Sequence, residues 1–187
     1  MNFFKATTAL FIISLMNHYK NYSLGSWVYL ALHGIYGAIW LLKDFGFPDR
    51  NFERRVGFFG AMTHIFVLAG YWIIPWIQMS GHGIDKPSSE RVMACIALFT
   101  TGIALMIASD AQKTFTLRHE EVLITDGMFK YTRNPNYLGQ MLIHSSFALA
   151  TGSIVSWGII FTLWTVFFFP RMIAKDASLR GKPGAEE

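Results

Sequence analysis

The chain has 187 residues, 52% of them hydrophobic, 16% aromatic and 15% charged, with a formal net charge of +4. A soluble domain of this size carries about a quarter charged residues, so the composition excludes an ordinary water-soluble globule. A lone Cys95 excludes an intrachain disulfide, and no Cys/His spacing suits zinc, so no metal site is expected.

In chain order, Phe3–Met16 is a marginal apolar run interrupted by Lys5, either a short span or an interfacial helix. No small-residue cleavage site follows it, so a cleaved leader is not expected. Leu24–Leu42, Val56–Gln78 and Ser153–Phe169 carry almost no charge, with His33 and His64 as the main polar interruptions. Each approaches the roughly 20 residues that cross a bilayer core. Val92–Ala108 and Leu138–Gly152 are shorter runs of the same kind. The expected fold is all-α: one polytopic membrane bundle over residues 1–187, with five or six transmembrane helices and a C-terminal helical hairpin.

Charge placement orients it. Counted on alternating sides of six spans, one side collects Lys5, Lys43, Arg50, Arg54, Arg55, Lys113, Arg118, Lys130, Arg133, Arg171, Lys175, Arg180 and Lys182. The other side holds Lys20, Lys86 and Arg91, so thirteen of the 16 basic side chains share one face. By the positive-inside rule the basic loops and the C-terminus are cytosolic, or on the matrix side in a mitochondrion. The positive charge is then a matter of topology, and no nucleic-acid partner is expected.

The connectors differ in character. Lys43–Arg55 mixes charge, Pro and aromatics and suits a membrane surface, whereas Ser80–Arg91 has the Gly, Pro and Ser of an ordinary exposed turn. Ser109–Asn136 is the longest polar segment, with His119, Glu120, Glu121 and Asp126, and is read as a connector that is either functional or merely solvated. It ends in "YTRNPNYLGQ", residues 131–140. Pro135 disfavours helix at Asn134 and suits the first turn of a helix beginning there, which makes Asn134 an N-cap candidate. The open N–H groups of that helix start, with Arg133 and Lys130 alongside, favour an anion or a carboxylate-bearing ligand. Gly139 admits another backbone or a flat ligand, and Asn136 and Tyr137 offer hydrogen bonds at the membrane boundary. The plainer alternative is a capped helix with an interfacial tyrosine and a snorkelling arginine.

After Gly152–Ser153 the chain returns as Ser153–Phe169 and ends in "FPRMIAKDASLRGKPG". So short a turn brings Arg171, Lys175 and Asp176 back beside Asn134–Tyr137. Arg171 and Lys175 are four apart and share a helix face, with Asp176 adjacent.

The stretch "LITDGMFKYTRNPNYLG", followed by a hydrophobic hairpin and a charged tail, resembles the C-terminal core of a membrane-enzyme superfamily. That superfamily joins isoprenylcysteine carboxyl methyltransferases, phospholipid N-methyltransferases and the sterol and steroid reductases. The resemblance rests on Gly127, Phe129, Arg133, Asn134, Pro135, Tyr137 and Gly139, and covers about Leu123–Gly184. It implies a cofactor-binding core over residues 109–184, with S-adenosylmethionine in one branch and NADPH in the other, and a lipid or lipidated substrate entering from the bilayer. Gly127, Phe129, Arg133, Asn134, Pro135, Asn136, Tyr137, Gly139, Lys175 and Asp176 are the expected cofactor-binding residues, and Tyr137 and Arg171 the expected catalytic ones. The methyltransferase branch usually has two glutamates four and five residues beyond the hairpin's arginine, where this chain has Lys175 and Asp176. The reductases usually follow the glycine with an acid, where this chain has Gln140. Three readings stand: a methyltransferase, favoured by the chain's small size; an NADPH-dependent reductase of an enone or sterol double bond; and a catalytically silent subunit with partners in a membrane complex.

Overall fold

The computed structural model describes residues 2–47, 57–119 and 123–180. Arg50, Arg54, Arg55, Glu120, Glu121, Lys182 and the remainder of the tail lie outside the described residues, so the expected surface segment Lys43–Arg55 and the end of the core 109–184 are seen only in part. The described residues form helices and connectors, without a strand among them: α1 (Asn2–Tyr19), α2 (Leu24–Gly46), α3 (Phe58–Ile77), α4 (Ser89–His119), α5 (Pro135–Thr151), α6 (Ile154–Leu163) and α7 (Phe169–Arg180). A π turn, Gln78–His82, extends α3, and a second, Trp164–Phe168, joins α6 to α7.

Among the described residues, three stretches are long and apolar enough to cross a membrane: Leu24–Gly46, Ser89–Arg118 and Ile154–Arg180. Their outward faces leave Leu42, Phe45, Ile154 and Ile173 uncovered, as a lipid environment permits. The chain is a helical membrane protein.

Helices α1 to α6 alternate in direction and α7 continues that of α6, so polar residues sort to two ends. At one end Asn21 and Ser23 both donate to Asp85 Oδ1 at 3.0 Å, the Gly25 N–H reaches Asp85 O at 2.9 Å, and Gln78 Nε2 reaches Ile84 O at 3.0 Å. The Ile84 N–H donates to Thr151 O at 3.2 Å, and Arg91 Nη1 to Leu149 O at 2.8 Å. The stretch expected to be an ordinary exposed turn, Ser80–Arg91, is thus pinned to three helices, because its carbonyls and Asp85 satisfy groups on neighbouring elements.

The opposite end gathers the start of α1, the ends of α2 and α4, the start of α5 and the end of α7. Here Lys43 on α2 pairs with Asp110 on α4 at 2.7 Å, with side-chain exposures of 6% and 14%. This corrects the reading of residues from Ser109 onward as connector: the helix continues to His119. No Gly or Pro interrupts Ser109–His119, and the buried pairing rewards the added turns.

Between the ends lies an aromatic core. Phe147 is fully buried, stacked on His33 at 4.4 Å and 18°, with Tyr29, Tyr36 and Tyr71 at 6.1, 5.8 and 6.3 Å. Among the described residues, helices α4 and α5 make the most extensive helix–helix contact. They cross where Gly102 meets Gly139: a Cβ on either would lie 2.6 Å from the other's carbonyl oxygen. Two glycines facing each other let the backbones touch, as small residues do in membrane helix pairs.

The hairpin follows from local chemistry. Gly152 ends α5 at φ +63°, and Ser153 caps α6 through the Val155 N–H at 3.3 Å. The two arms are level: Tyr137, fourteen residues before Thr151, meets Phe168, fourteen after Ile154, with ring centroids 5.3 Å apart. Beyond Phe168 the symmetry breaks. Pro170 has no N–H to give Val166 O, and its ring crowds that carbonyl; the preceding turn widens, with the Phe169 N–H reaching back to Trp164 O.

Candidate functional site: the polar end of the hairpin

Asn134 stands at the N-cap position of α5, with φ −131° and ψ 55°, and is 4% exposed. Its carbonyl accepts the Tyr137 and Leu138 N–H groups at 3.1 and 3.2 Å. The Leu138 bond is the first regular one of the helix, but two amides expected to stay open for an anion are also used, Tyr137 N–H within the turn and Asn134 N–H by Thr132 Oγ1 at 3.4 Å. The expected side-chain cap is also absent. Asn134 Nδ2 instead donates to Asp176 Oδ1 at 3.2 Å, across the hairpin. A carboxylate outcompetes a neutral acceptor for an amide N–H, because the hydrogen bond is charge-assisted.

That bond fixes the amide. An ionised carboxylate only accepts, so Nδ2 must face Asp176 and Oδ1 must face away. Among the described residues Asn134 Oδ1, which is buried, has no hydrogen-bond partner, and the same is true of Asn136 Oδ1. Leaving such a group unmet costs about 1–3 kcal/mol. Two amide oxygens at one helix start form a small acceptor site.

Lys175, next to Asp176, donates to Arg133 O at 3.3 Å and lies over the Phe129 ring, 5.7 Å from its centroid. A straight continuation of the returning helix would carry Asp176 about 12 Å beyond Phe168. Its bond to Asn134 instead means that α7 crosses the start of α5. The π turn before Pro170 supplies that bend.

The floor of the site is a short 3₁₀ turn, Gly127–Lys130, where Gly127 adopts φ +54°. Gln112 on α4 holds it, with Nε2 on both Asp126 O and Asp126 Oδ1 at 3.1 Å and Oε1 accepting the Met128 N–H at 3.0 Å. A Cβ on Gly127 would sit 2.6 Å from the Gln112 side chain, so the glycine answers to both backbone shape and room.

The structure brings together Phe129, the Arg133 backbone, Asn134, Lys175 and Asp176, with Asn136 beside them, and joins Tyr137 to the returning arm through Phe168. Pro135 is buried at the first position of α5. Gly139 faces Gly102, so of the two uses expected for it the approach of another backbone is the one observed. Arg171 is exposed, and among the described residues it forms no bond or ion pair with Asn134, Tyr137 or Asp176. At about 100° per residue, Arg171 and Asp176 lie roughly 140° apart around α7. The expected three-residue convergence is thus confined to Lys175 and Asp176. Gln112 was not singled out, because a polar tract read as a connector hides its helical period. Phe168 was lost in an apolar run. His144, which meets Phe168 at 5.6 Å, carried the one available signal, an ionisable side chain within a span.

Residues 53–175 match the model of a family described as "protein of unknown function (DUF1295)". The chain belongs to the DUF1295 family. No curated protein and no solved structure matches it. The DUF1295 segment takes in α3 to α6 and α7 as far as Lys175, so it holds Gln112, Gly127, Asn134 and Lys175 and stops one residue before Asp176. Lys5, Tyr36 and Trp40 lie outside it.

Proposed function

We propose that this DUF1295 protein is an integral-membrane methyltransferase that binds S-adenosylmethionine at the polar end of the α5–α7 hairpin and acts on a lipid or lipidated substrate. In this reading α1, α3 and α5 are further spans, and the basic end faces the cytosol or matrix. The observation that carries it is the unpartnered, buried Asn134 Oδ1 beside the Asp176 carboxylate. Two acceptors side by side suit a ligand that presents an ammonium group, and they suit a phosphate poorly.

The residues fit such a ligand in kind. Asn134 Oδ1 and Asp176 accept from its ammonium, Asn136 Oδ1 accepts from a second amine, and the Gly127–Phe129 backbone and Tyr137 wall the cradle. We assign Arg171 and Arg133, both exposed, to the ligand's carboxylate or the substrate's head group. When bound, the sulfonium supplies an already activated methyl group. The protein's part is then to align donor and acceptor and to exclude water, with little acid–base chemistry. Gln112 and Lys175 act at one remove, the first by holding the 3₁₀ turn and the second by tying α7 to Arg133 O.

Calorimetry on the purified chain with S-adenosylmethionine tests this. Binding at millimolar concentration or tighter is expected, weakened about tenfold in Asp176→Asn, a loss of roughly 1.4 kcal/mol. No binding by the unaltered chain sinks the reading. The second reading, an NADPH-dependent reductase with Tyr137 as proton donor, draws on the basic set Lys130, Arg133, Arg171 and Lys175 around the same mouth. Quenching of tryptophan fluorescence by NADPH, with no response to S-adenosylmethionine, would select it. Silence toward both would leave a structural subunit.

A further inference from the structure

We propose a second ligand site inside the bundle, where Lys5 anchors the anionic head of an apolar chain. Lys5 Nζ lies over three rings, 4.1 Å from the centroid of Tyr36, 4.9 Å from Trp40 and 5.1 Å from Tyr71. These rings belong to α2 and α3, and all three side chains are at most 6% exposed. The π faces attract the cation but accept none of its three N–H bonds in the way an oxygen would. Among the described residues Lys5 has no hydrogen bond and no ion pair.

The nearby carboxylate is taken. Asp110 pairs with Lys43 at 2.7 Å, and Lys43 Nζ itself lies 4.9 Å from the Trp40 ring centroid. Two ammonium groups thus share one indole, and among the described residues only Lys43 has a carboxylate partner there. Lys5 is itself part-buried, and an ammonium held among rings without a counter-ion beside it is costly and suits an anion.

Two further atoms mark the same spot. Tyr71 OH and His144 Nδ1 are buried and have no hydrogen-bond partner among the described residues. Their rings are 5.5 Å apart, and His144 is 6.3 Å from Tyr36. Lys5 and the Tyr71 hydroxyl both donate to an oxyanion, and the aromatic walls suit the first carbons of a chain. Two turns further along α1, Ile13 is 41% exposed, so the helix offers apolar surface toward the bilayer. From His144 the rings of Phe168 and Tyr137 lead to the Asn134 cradle, at 5.6 and 5.3 Å. The cage therefore adjoins the polar end without sharing its residues, and it does not depend on which cofactor the cradle takes.

The test uses the full chain in nanodiscs, without cofactor, and three probes with the same tail: oleate, oleoyl lysophosphatidate and oleyl alcohol. At least one anionic probe is expected to bind about tenfold tighter than the alcohol, and the tighter of the two identifies the head as carboxylate or phosphate. Lys5→Met is expected to abolish the preference and Lys5→Arg to keep it. Should Lys5→Met fail to fold, the unaltered chain still decides: reductive methylation of Lys5, read by peptide mass, is expected to slow with the anionic probe and not with the alcohol. Equal binding of all three probes, or methylation of Lys5 unchanged by the anions, overturns the proposal.

Discussion

Gly102 of α4 and Gly139 of α5 face each other so closely that a Cβ on either would lie 2.6 Å from the other's carbonyl oxygen. The added carbon of Gly139→Ala would also stand 2.8 Å from the Met106 backbone nitrogen, so it meets backbone that has no other rotamer to adopt. We expect Gly139→Ala to destabilise the protein by about 1–3 kcal/mol, the usual range for overpacking. Thermal or denaturant unfolding in detergent reads it directly, and a neutral effect would mean that α4 and α5 do not cross here.

Lys43 and Asp110 should respond asymmetrically. Removing one member of a buried pair strands the other charge, at about 3–5 kcal/mol, whereas replacing both with apolar groups of similar volume is often neutral. Lys43→Met alone is expected to unfold readily, and Lys43→Met with Asp110→Leu to regain most of the loss. Equal instability in the single and double variants would refute a mutual pairing.

Gly127→Ala challenges the floor of the cradle. It forces a side chain into the left-handed region, at about 1–2 kcal/mol, and onto Gln112. The turn should loosen locally while the bundle persists. Limited proteolysis after Lys130 or Arg133 is expected to accelerate with global unfolding almost unmoved; an unchanged cleavage rate would show that Gln112 does not hold the turn.

Pro170→Ala probes the bend of α7. With an N–H restored at 170, Val166 O regains its partner and the π turn can close to an ordinary α turn. The returning helix then runs straight and lifts Asp176 off Asn134. Cysteines placed by Asn134→Cys and Asp176→Cys, in a Cys95→Ala background, should crosslink when Pro170 is present and largely cease to do so with Pro170→Ala. A crosslink indifferent to Pro170 would assign the bend to another cause.

Apolar run length, charge asymmetry and the Asn-Pro and Gly-Ser punctuation were enough, without coordinates, to state a helical membrane protein, the start of α5 at Pro135 and the hairpin turn at Gly152. These are local properties: bilayer thickness, the fixed φ of proline and the freedom of glycine act within a few residues. The partners of each side chain are not local. Whether Asn134 caps its own helix or reaches Asp176, 42 residues on, depends on a bend that one proline imposes elsewhere. In the same way, Ser109–His119 is helix because Asp110 finds Lys43 on α2. Lys5, read as a mere interruption of a marginal run, becomes a caged cation only when α2 and α3 bring Tyr36, Trp40 and Tyr71 around it. A polar residue in an apolar sequence announces that it needs a partner; only packing decides which one it gets, because long-range contacts are settled by the whole bundle.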